Sequence, residues 1–297
     1  MSAVPADAPD AASRRTTRGG ARPSGAGAPR RGGVRRWIGD HAVMAVGLLV
    51  LLYMFVPVFV VILMSFNEPA SRNSYSFDGF TLDNWTHICG PYQLCSSVQT
   101  SIEVGLLATL VATLLGTLMA FAMVRHRFRG RGTANLFVFL PMATPEIVLG
   151  SSLLALFVNA GMAGALGFWT IFVAHVLFCL SFVVVTVKAR LAGLDPRMEE
   201  AAADLYANEW QTFWRVSFPQ VFPGILAAAL LSFSLSFDDF IITNLNAGQV
   251  VTFPMFVWGA AQRGIPPQIN VIGTIMFLVA MGVVLGGELG RRRQSVR

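Results

Sequence analysis

The chain has 297 residues, of which 54% are hydrophobic and only 13% are charged, and its formal net charge is +6. Soluble domains average about 25% charged residues, so this composition excludes an ordinary soluble enzyme or binding module and indicates a membrane protein. What the positive charge means depends on where the basic residues fall along the chain.

The first segment, residues 1–39, is rich in Ala, Gly, Pro and Arg. Such a segment cannot bury enough apolar surface to fold, so we expect a disordered basic leader near anionic lipid headgroups. The apolar run that follows is too long for the core of a signal peptide, and no small-residue cleavage site follows it. A cleaved signal is therefore not expected.

Long runs with few or no charges make up most of the remaining chain, and a bilayer core about 30 Å thick takes about 20 helical residues. The run 133–187 contains one charge, Glu146, and must hold two spans with a turn in the small-residue stretch 159–167. The runs are continuous rather than alternating, which favours helices over barrel strands. The sequence predicts an all-α membrane protein with six transmembrane helices at about 42–64, 97–124, 134–158, 168–188, 223–245 and 267–288.

The Lys and Arg residues are distributed unevenly between these spans. If the N-terminus is cytoplasmic, all 22 except Arg72 and Arg263 fall in cytoplasmic segments. Positively charged loops stay inside, so we expect both termini in the cytoplasm. The net charge then reflects topology, and we expect membrane lipid rather than nucleic acid as a partner.

This orientation assigns a place to each segment. We predict a leader at 1–39, a first transmembrane helix at 40–66, an extracytoplasmic loop at 67–96, a five-helix core at 97–288 with a cytoplasmic loop at 189–222, and a basic cytoplasmic tail at 289–297.

The three cysteines lie in two different environments. Cys89 and Cys95 fall in the predicted outer loop, where they could pair in an oxidising compartment, although two free thiols fit the spacing about as well because geometry decides. Cys179 lies inside the fourth span and is interpreted as a small apolar residue. No Cys/His cluster has metal-ligand spacing, so no metal or other cofactor is predicted. His175, also in the fourth span, is expected to be hydrogen-bonded in the bundle.

A polar segment between the fourth and fifth spans predicts two short helices. Asp195 followed by Pro196 is typical of a helix start, and Asn208 predicts a second N-cap after a first helix of about 196–206. We expect Pro219 to end the second helix and Pro223 to start the fifth span. The second helix carries Trp210, Phe213 and Trp214, which suggests either a surface covered by a partner protein or a helix in the membrane interface.

The same segment, EEAAADLYANEWQTFWRVSFPQ, resembles the cytoplasmic EAA loop of permease subunits of bacterial ABC importers. The family pattern E-A-A, three residues, G, nine residues, I, one residue, L-P falls on Glu200-Ala201-Ala202, Tyr206, Val216 and Phe218-Pro219. The spacing is intact, but three positions differ, and Tyr206 replaces a glycine in the turn between the helices, where positive φ is convenient. Either Asn208 takes the left-handed position, or the turn is built differently.

Three further segments are similar to the subfamily that imports spermidine and putrescine: FTLDNW (80–85), PEIVLGSSLLALF (145–157) and LSFSLSFDDFIIT (231–243). The resemblance covers about 40–290 and implies the type I importer permease fold, called MetI-like, in a bacterial inner membrane. It also implies partners: a second permease that completes a heterodimer, two copies of an ATP-binding subunit, and an extracytoplasmic substrate-binding protein. In the loop, it implies that Glu200 makes a charged contact with the ATPase and that Ala201 and Ala202 allow close approach.

The sequence itself argues against an ATPase site in this chain. A phosphate-binding P-loop requires G-x-x-x-x-G-K-[ST], and Lys188, which is the only lysine, follows VVVTV instead. We therefore predict a transport subunit that is not itself an enzyme.

Three carboxylates lie inside the predicted spans, where ionisable groups are functional candidates by default. Asp238 and Asp239 fall in the outer half of the fifth span, and Glu146 follows Pro141 and Pro145 in the third. We interpret them as a cation pathway for a polyamine, with the adjacent aspartates facing different surroundings. The alternative is structural: Asp239 caps a broken helix and Glu146 is protonated in the bundle.

Other functions fit parts of the pattern. Related importers carry ferric iron, sulfate or phosphonate, although the acids disfavour an anion. An ion-coupled secondary carrier could bind protons at the same three acids. Such a carrier needs no ATPase, so the cytoplasmic loop at 189–222 would have no partner protein, and the internal repeat that many carriers show is not evident. A membrane-embedded enzyme has no nucleophile–base pair or metal cluster to support it.

Overall fold

The computed structural model describes the backbone at residues 33–71, 76–126, 128–195 and 197–295. Apart from one isolated bridge between Asn67 and Phe80, regular structure in these ranges is helical. The helices are α1 (Gly33–Met64), α2 (Asp83–Thr86), α3 (Leu94–Arg125), α4 (Arg131–Ala143), α5 (Glu146–Asn159), α6 (Phe168–Ala192), α7 (Arg197–Asp204), α8 (Glu209–Thr212), α9 (Phe218–Asp238), α10 (Ile241–Asn246), α11 (Phe253–Arg263) and α12 (Gln268–Ser295).

Five helical stretches in these ranges are long and apolar enough to cross a membrane: His41–Met64, Leu94–Arg125, Phe168–Ala192, Glu209–Asp238 and Gln268–Gly287. The pair α4 and α5 gives a sixth crossing if it counts as one span, and it bends by 107°. The all-α membrane class is therefore confirmed.

Two predicted spans are not single helices. The third breaks at Thr144 and Pro145, because a residue before proline is driven out of the helical region, and Thr144 is extended at φ −82° and ψ 132°. The fifth ends at Asp238 and resumes at Ile241. The prediction of one continuous helix over 223–245 was therefore wrong, and α11 was not predicted.

The chain divides within α1 into two units, Met1–Phe55 and Val56–Arg297. In the first unit, residues 1–32 of the predicted leader lie outside the described residues. The helix α1 starts at Gly33, earlier than the predicted boundary at residue 40.

The second unit is built around α3, α6 and α9, which pack against one another. Four small residues of α3 at intervals of four are fully buried or nearly so: Ala108, Ala112, Gly116 and Ala120. A Cβ at Gly116 would lie 2.6 Å from Cγ1 of Val183 on α6, so only glycine allows this approach. Such stripes of small residues bring membrane helices into close contact. The opposite face of α3 exposes Leu106, Leu110, Leu114 and Leu118.

The loop between α1 and α3 is held by a disulfide and an aromatic stack. Cys89 and Cys95 are bonded, with their Cα atoms 5.3 Å apart. The ring of Phe66 stacks on both Phe80 and Trp85, at centroid distances of 5.6 and 5.4 Å. The ends of the FTLDNW segment therefore anchor this loop to the end of α1.

Candidate functional site

Two interrupted membrane helices lie side by side. Helix α5, which follows the break in the first, packs against α10, which follows the break in the second. Gly150 permits this contact: a Cβ there would lie 2.9 Å from Cδ1 of Leu245 and 3.2 Å from Cα of Ile242. The Asn246 amide donates to the carbonyl of Gly150 at 3.2 Å, which ties the two segments together.

Asp239 occupies the second break with its carboxylate turned inward, and the residue is only 8% exposed. Its Oδ2 accepts hydrogen bonds from the backbone N–H and the hydroxyl of Thr243, both at 2.8 Å, and its Oδ1 accepts from the N–H of Ile242 at 3.4 Å. Asp239 therefore satisfies the free N–H groups at the start of α10, as an N-cap does.

His175 on α6 supports the same break from the other side and is 1% exposed. Its Nδ1 lies 2.6 Å from the Ser236 hydroxyl, and its Nε2 lies 2.8 Å from the Thr243 hydroxyl and 3.4 Å from the Asp239 carboxylate. The histidine thus contacts residues before, at and after the break. Its hydrogen bonds within the bundle agree with the sequence-based expectation.

Asp238 and Glu146 are exposed, unlike Asp239. Glu146 lies within electrostatic range of both aspartates, so the structure brings the three predicted acids together. Two carboxylates face outward from adjacent breaks, and the third holds one break in place. The adjacent aspartates face different surroundings because the helix ends between them.

This arrangement suits a cation better than an anion. Exposed carboxylates next to apolar helices attract positive charge strongly, because water screens them less than it does at an ordinary surface. A helix break also leaves backbone carbonyls without helical partners, and these add further acceptors.

A second candidate site is the segment that resembles the EAA loop. Helix α7 is followed by a turn, α8 and a π-helical stretch at Phe213–Ser217 that runs directly into α9. Asn208 caps α8: its Oδ1 accepts from the N–H of Gln211 at 2.8 Å, and Oε1 of Gln211 accepts from the N–H of Asn208 at 3.1 Å. The predicted start at Pro196 lies outside the described residues, and α7 ends at Asp204 rather than near residue 206.

Tyr206 itself takes the left-handed position in the turn, with φ at 60°. Of the two alternatives, the second applies: the turn is built differently, because Asn208 is extended and engaged as a cap. The N–H of Tyr206 donates to the carbonyl of Ala203, and that of Ala207 donates to Ala202, which closes the end of α7. The Tyr206 side chain is 97% exposed.

The other residues of the EAA pattern differ in exposure. Glu200 and Ala201 are exposed, whereas Ala202 and Val216 are half-buried. Pro219 is exposed in the first turn of α9 and does not end a helix. The π-helical stretch before it changes the hydrogen-bond register, so the helix continues through a residue that lacks an N–H group. Pro223 lies inside α9 and does not start it.

Sequence reasoning missed a contact among three residues, two of which, Glu199 and Ser217, lie in this segment. The Arg125 guanidinium donates to both carboxylate oxygens of Glu199, and the Ser217 hydroxyl donates to Oε1 of Glu199 at 2.6 Å. The hydrogen bonds from Arg125, helped by Ser217 and the arginine charge, hold the pKa of Glu199 below its usual value despite partial burial. From the sequence, Arg125 is interpreted only as one of the basic residues that predict the orientation of the chain. Nothing in the stretch EEAA indicates which of the two glutamates points inward.

A cavity of about 1080 Å³ opens beside α11. Its lining includes Tyr92, Phe240, Trp258 and Arg263. Phe240 follows the acidic pair directly, and its ring lies 5.3 Å from that of Trp258. The cavity therefore adjoins the break between α9 and α10.

Comparison with known sequences gives consistent matches. The profile of a family described as the inner-membrane component of binding-protein-dependent transport systems matches residues 112–288. The spermidine/putrescine transport system permease protein PotC of Escherichia coli K12 is 34% identical over 82% of this chain and 91% of that protein. PotC of Haemophilus influenzae is 33% identical over 82% and 93%, and the E. coli K12 putrescine permease PotI is 33% identical over 78% and 84%.

Solved structures share the fold. A chain of a bacterial alginate ABC transporter, in complex with a periplasmic protein that holds an alginate pentasaccharide, superposes with a TM-score of 0.65 at 16% identity, over 88% of this chain and 96% of that one. A chain of an inward-facing methionine ABC transporter gives 0.54 at 14% identity, over 69% and 97%. At such identities the likeness concerns the fold alone.

Proposed function

Since the chain belongs to the family of inner-membrane components of binding-protein-dependent transport systems, we propose that it is the permease subunit of an ATP-driven polyamine importer. Relatives that are 33–34% identical over most of the chain are named as permeases for spermidine and putrescine. The assignment of a polyamine as substrate depends on the placement of Glu146 and Asp238 in a chain with such relatives. These are two exposed carboxylates at adjacent helix breaks.

The two carboxylates fit the chemistry of a polyamine. Spermidine and putrescine carry separated ammonium groups on a methylene chain, so they gain from several acceptors in sequence rather than from one deep anionic pocket. Asp238 and Glu146 supply the exposed charges. Asp239 keeps α10 in position with the help of His175, so it shapes the pathway without being exposed to the cargo.

The polar segment α7–α8 is the proposed contact with a separate ATPase. Glu200, Ala201 and Tyr206 are exposed along it, and Leu205 is 82% exposed at the same turn. Exposed apolar side chains at the turn between two short polar helices suggest a surface that another protein covers. The proposed assembly contains two ATP-binding subunits, a second permease and an extracytoplasmic substrate-binding protein.

Uptake measurements in whole cells test the substrate. Cells with and without the chain are given radiolabelled spermidine or putrescine at low concentration, and a strain that carries the gene on a plasmid serves as the control. We expect chain-dependent uptake that unlabelled polyamine suppresses and that sulfate and ferric iron do not. Equal uptake with and without the chain contradicts the polyamine assignment.

Co-purification tests the assembly. The tagged chain is purified from membranes under mild conditions, and mass spectrometry identifies what accompanies it. We expect an ATP-binding subunit and a second permease. A chain that purifies alone and transports in vesicles without ATP would instead establish an ion-coupled carrier.

A further inference from the structure

The carboxylate of Glu199 is held by residues from two other segments of the chain. Arg125 is the last residue of α3, and its two terminal nitrogens each donate to one oxygen of Glu199 on α7. Ser217, at the end of the π-helical stretch, donates to the same carboxylate and lies 3.5 Å from the guanidinium. These three residues, here called the Arg125 clasp, join α7 to the end of α3 and to the start of α9.

The geometry of the Arg125 clasp is more specific than a surface ion pair. A planar guanidinium that binds both oxygens of a carboxylate fixes direction as well as distance. The side chains of Arg125 and Glu199 are 38% and 26% exposed, and Ser217 is buried. A pair that is exposed to this extent adds only modestly to stability, so the expected main role of the Arg125 clasp is to fix position.

The start of α9 is held on its other side as well. Nε of Arg190 on α6 donates to the carbonyl of Gln220 at 2.9 Å. The side chain of Arg190 crosses α9 at Gly224, where a Cβ would lie 2.7 Å from its Cγ. A movement of α7 would therefore pass through the Arg125 clasp to a part of α9 that is packed tightly against α6.

Helix α9 ends at Asp238, one of the two exposed acids. Its 21 residues, Phe218–Asp238, extend about 30 Å at 1.5 Å per residue. One continuous helix thus connects the Arg125 clasp with the acidic break. The clasp is the point at which α7, in the proposed ATPase contact, is bonded to the helix that carries the proposed transport site.

We propose that Arg125 and Ser217 are positioning residues for energy coupling, which hold Glu199 so that displacement of α7 moves α9 and the acidic break together. This inference rests on the proposed function. It assigns to Glu199 a role that differs from that of Glu200, its exposed neighbour: Glu199 transmits force within the chain, whereas Glu200 contacts the ATPase.

The test uses the complete importer, purified with its partners and reconstituted in liposomes with its binding protein. ATP hydrolysis and spermidine uptake are measured on the same vesicles for the wild type, Arg125→Ala and Glu199→Gln. We expect spermidine uptake per ATP hydrolysed to fall at least tenfold in both variants, with hydrolysis reduced much less. Arg129→Ala is the matched control, because Arg129 is an exposed arginine just beyond α3, and its ratio should equal that of the wild type.

Two further variants separate positioning from folding. The exchange Arg125→Glu with Glu199→Arg should recover part of the coupling ratio, which a general loss of stability would not allow. Arg125→Lys keeps the charge without the paired donors, so it should give an intermediate ratio even if Arg125→Ala fails to assemble. An unchanged ratio in Arg125→Lys and Glu199→Gln overturns the inference, whereas a wild-type complex without ATP-dependent uptake overturns the proposed function instead.

Discussion

Glu199 illustrates how one carboxylate can be fixed by its neighbours. The hydrogen bonds from Arg125 and Ser217 lower the pKa of Glu199 below its ordinary value of 4.5, so the folded chain holds the charged form more tightly than the unfolded chain does. A group with a depressed pKa contributes stability that is fully present above its unfolded pKa and is lost as the pH falls through its folded pKa.

This gives a pH prediction for Glu199→Gln. The difference in melting temperature between the wild type and this variant, measured in detergent, should be constant at neutral pH and should shrink as the pH falls below 4.5. Glu103→Gln provides a control, because Glu103 is an exposed glutamate on the same helix as Arg125. A difference that grows towards low pH would contradict the assignment of Glu199 as the charged partner.

Tyr206 combines an uncommon backbone conformation with an exposed side chain. A left-handed conformation costs a residue with a Cβ roughly 1 kcal/mol, and a side chain that is 97% exposed recovers little of this within the chain. Tyr206→Gly removes this conformational cost, but glycine also raises the conformational entropy of the unfolded chain, which opposes the gain. We therefore expect the stability of the free chain to stay equal or rise by up to about 1 kcal/mol.

The same substitution should weaken ATPase binding if Tyr206 contacts the partner. The amount of ATP-binding subunit that co-purifies with Tyr206→Gly is the measurement, and Tyr206→Phe, which keeps the ring, is the control. Retention of the subunit at the wild-type level by Tyr206→Gly would show that the aromatic ring is not part of this contact.

At the scale of elements, the break between α9 and α10 separates the roles of the two aspartates. Asp238→Asn removes an exposed charge, so uptake of spermidine should fall while the amount of protein in the membrane stays unchanged. Asp239→Asn replaces one of the two accepting carboxylate oxygens with an NH2 donor, so at least one of the three buried donors loses its acceptor. An unpaired buried donor costs about 1–3 kcal/mol, so the amount of folded protein should fall first. Immunoblots and uptake on the same cells distinguish the two, and the reverse pattern would exchange their roles.

The contact between α5 and α10 depends on the absence of a side chain at Gly150. Gly150→Ala places a methyl group against Leu245 and Ile242, and such overpacking costs about 1–3 kcal/mol. Gly132→Ala on α4 is the matched control, because nothing lies within 4 Å of a Cβ there. A lower melting temperature for Gly150→Ala alone is expected, and equal values for both would mean that the contact tolerates a methyl group.

The sequence predicted elements well where one physical signal dominates. Long apolar runs specify membrane helices, and Asn208 caps a helix because its side chain can accept a backbone N–H. The breaks were harder to predict, because Pro145 is tolerated in many membrane helices and the aspartates differ only in the contacts that tertiary packing provides. Arg125 and Glu199 are 74 positions apart, and no local pattern indicates that they pair.

At the scale of the whole molecule, α9 connects the two candidate sites. It begins at the π-helical stretch that follows α8 and ends at the acidic break, so both sites lie on one rigid element. Helix α9 packs against α3 and α6, so its movement involves these neighbours. Small residues such as Gly116 set the close distance between α3 and α6 on which this packing depends.

The basic residues predict the orientation of the chain, because all of them except Arg72 and Arg263 fall in segments that would be cytoplasmic if the N-terminus is. The disulfide between Cys89 and Cys95 should then lie outside, and Cys179 is buried. On right-side-out spheroplasts, a membrane-impermeant maleimide should label the chain only after reduction, and a variant with serine at positions 89 and 95 should stay unlabelled. Labelling of sealed inverted vesicles instead would reverse the orientation, and it would place α7 and α8 on the side away from any cytoplasmic ATPase.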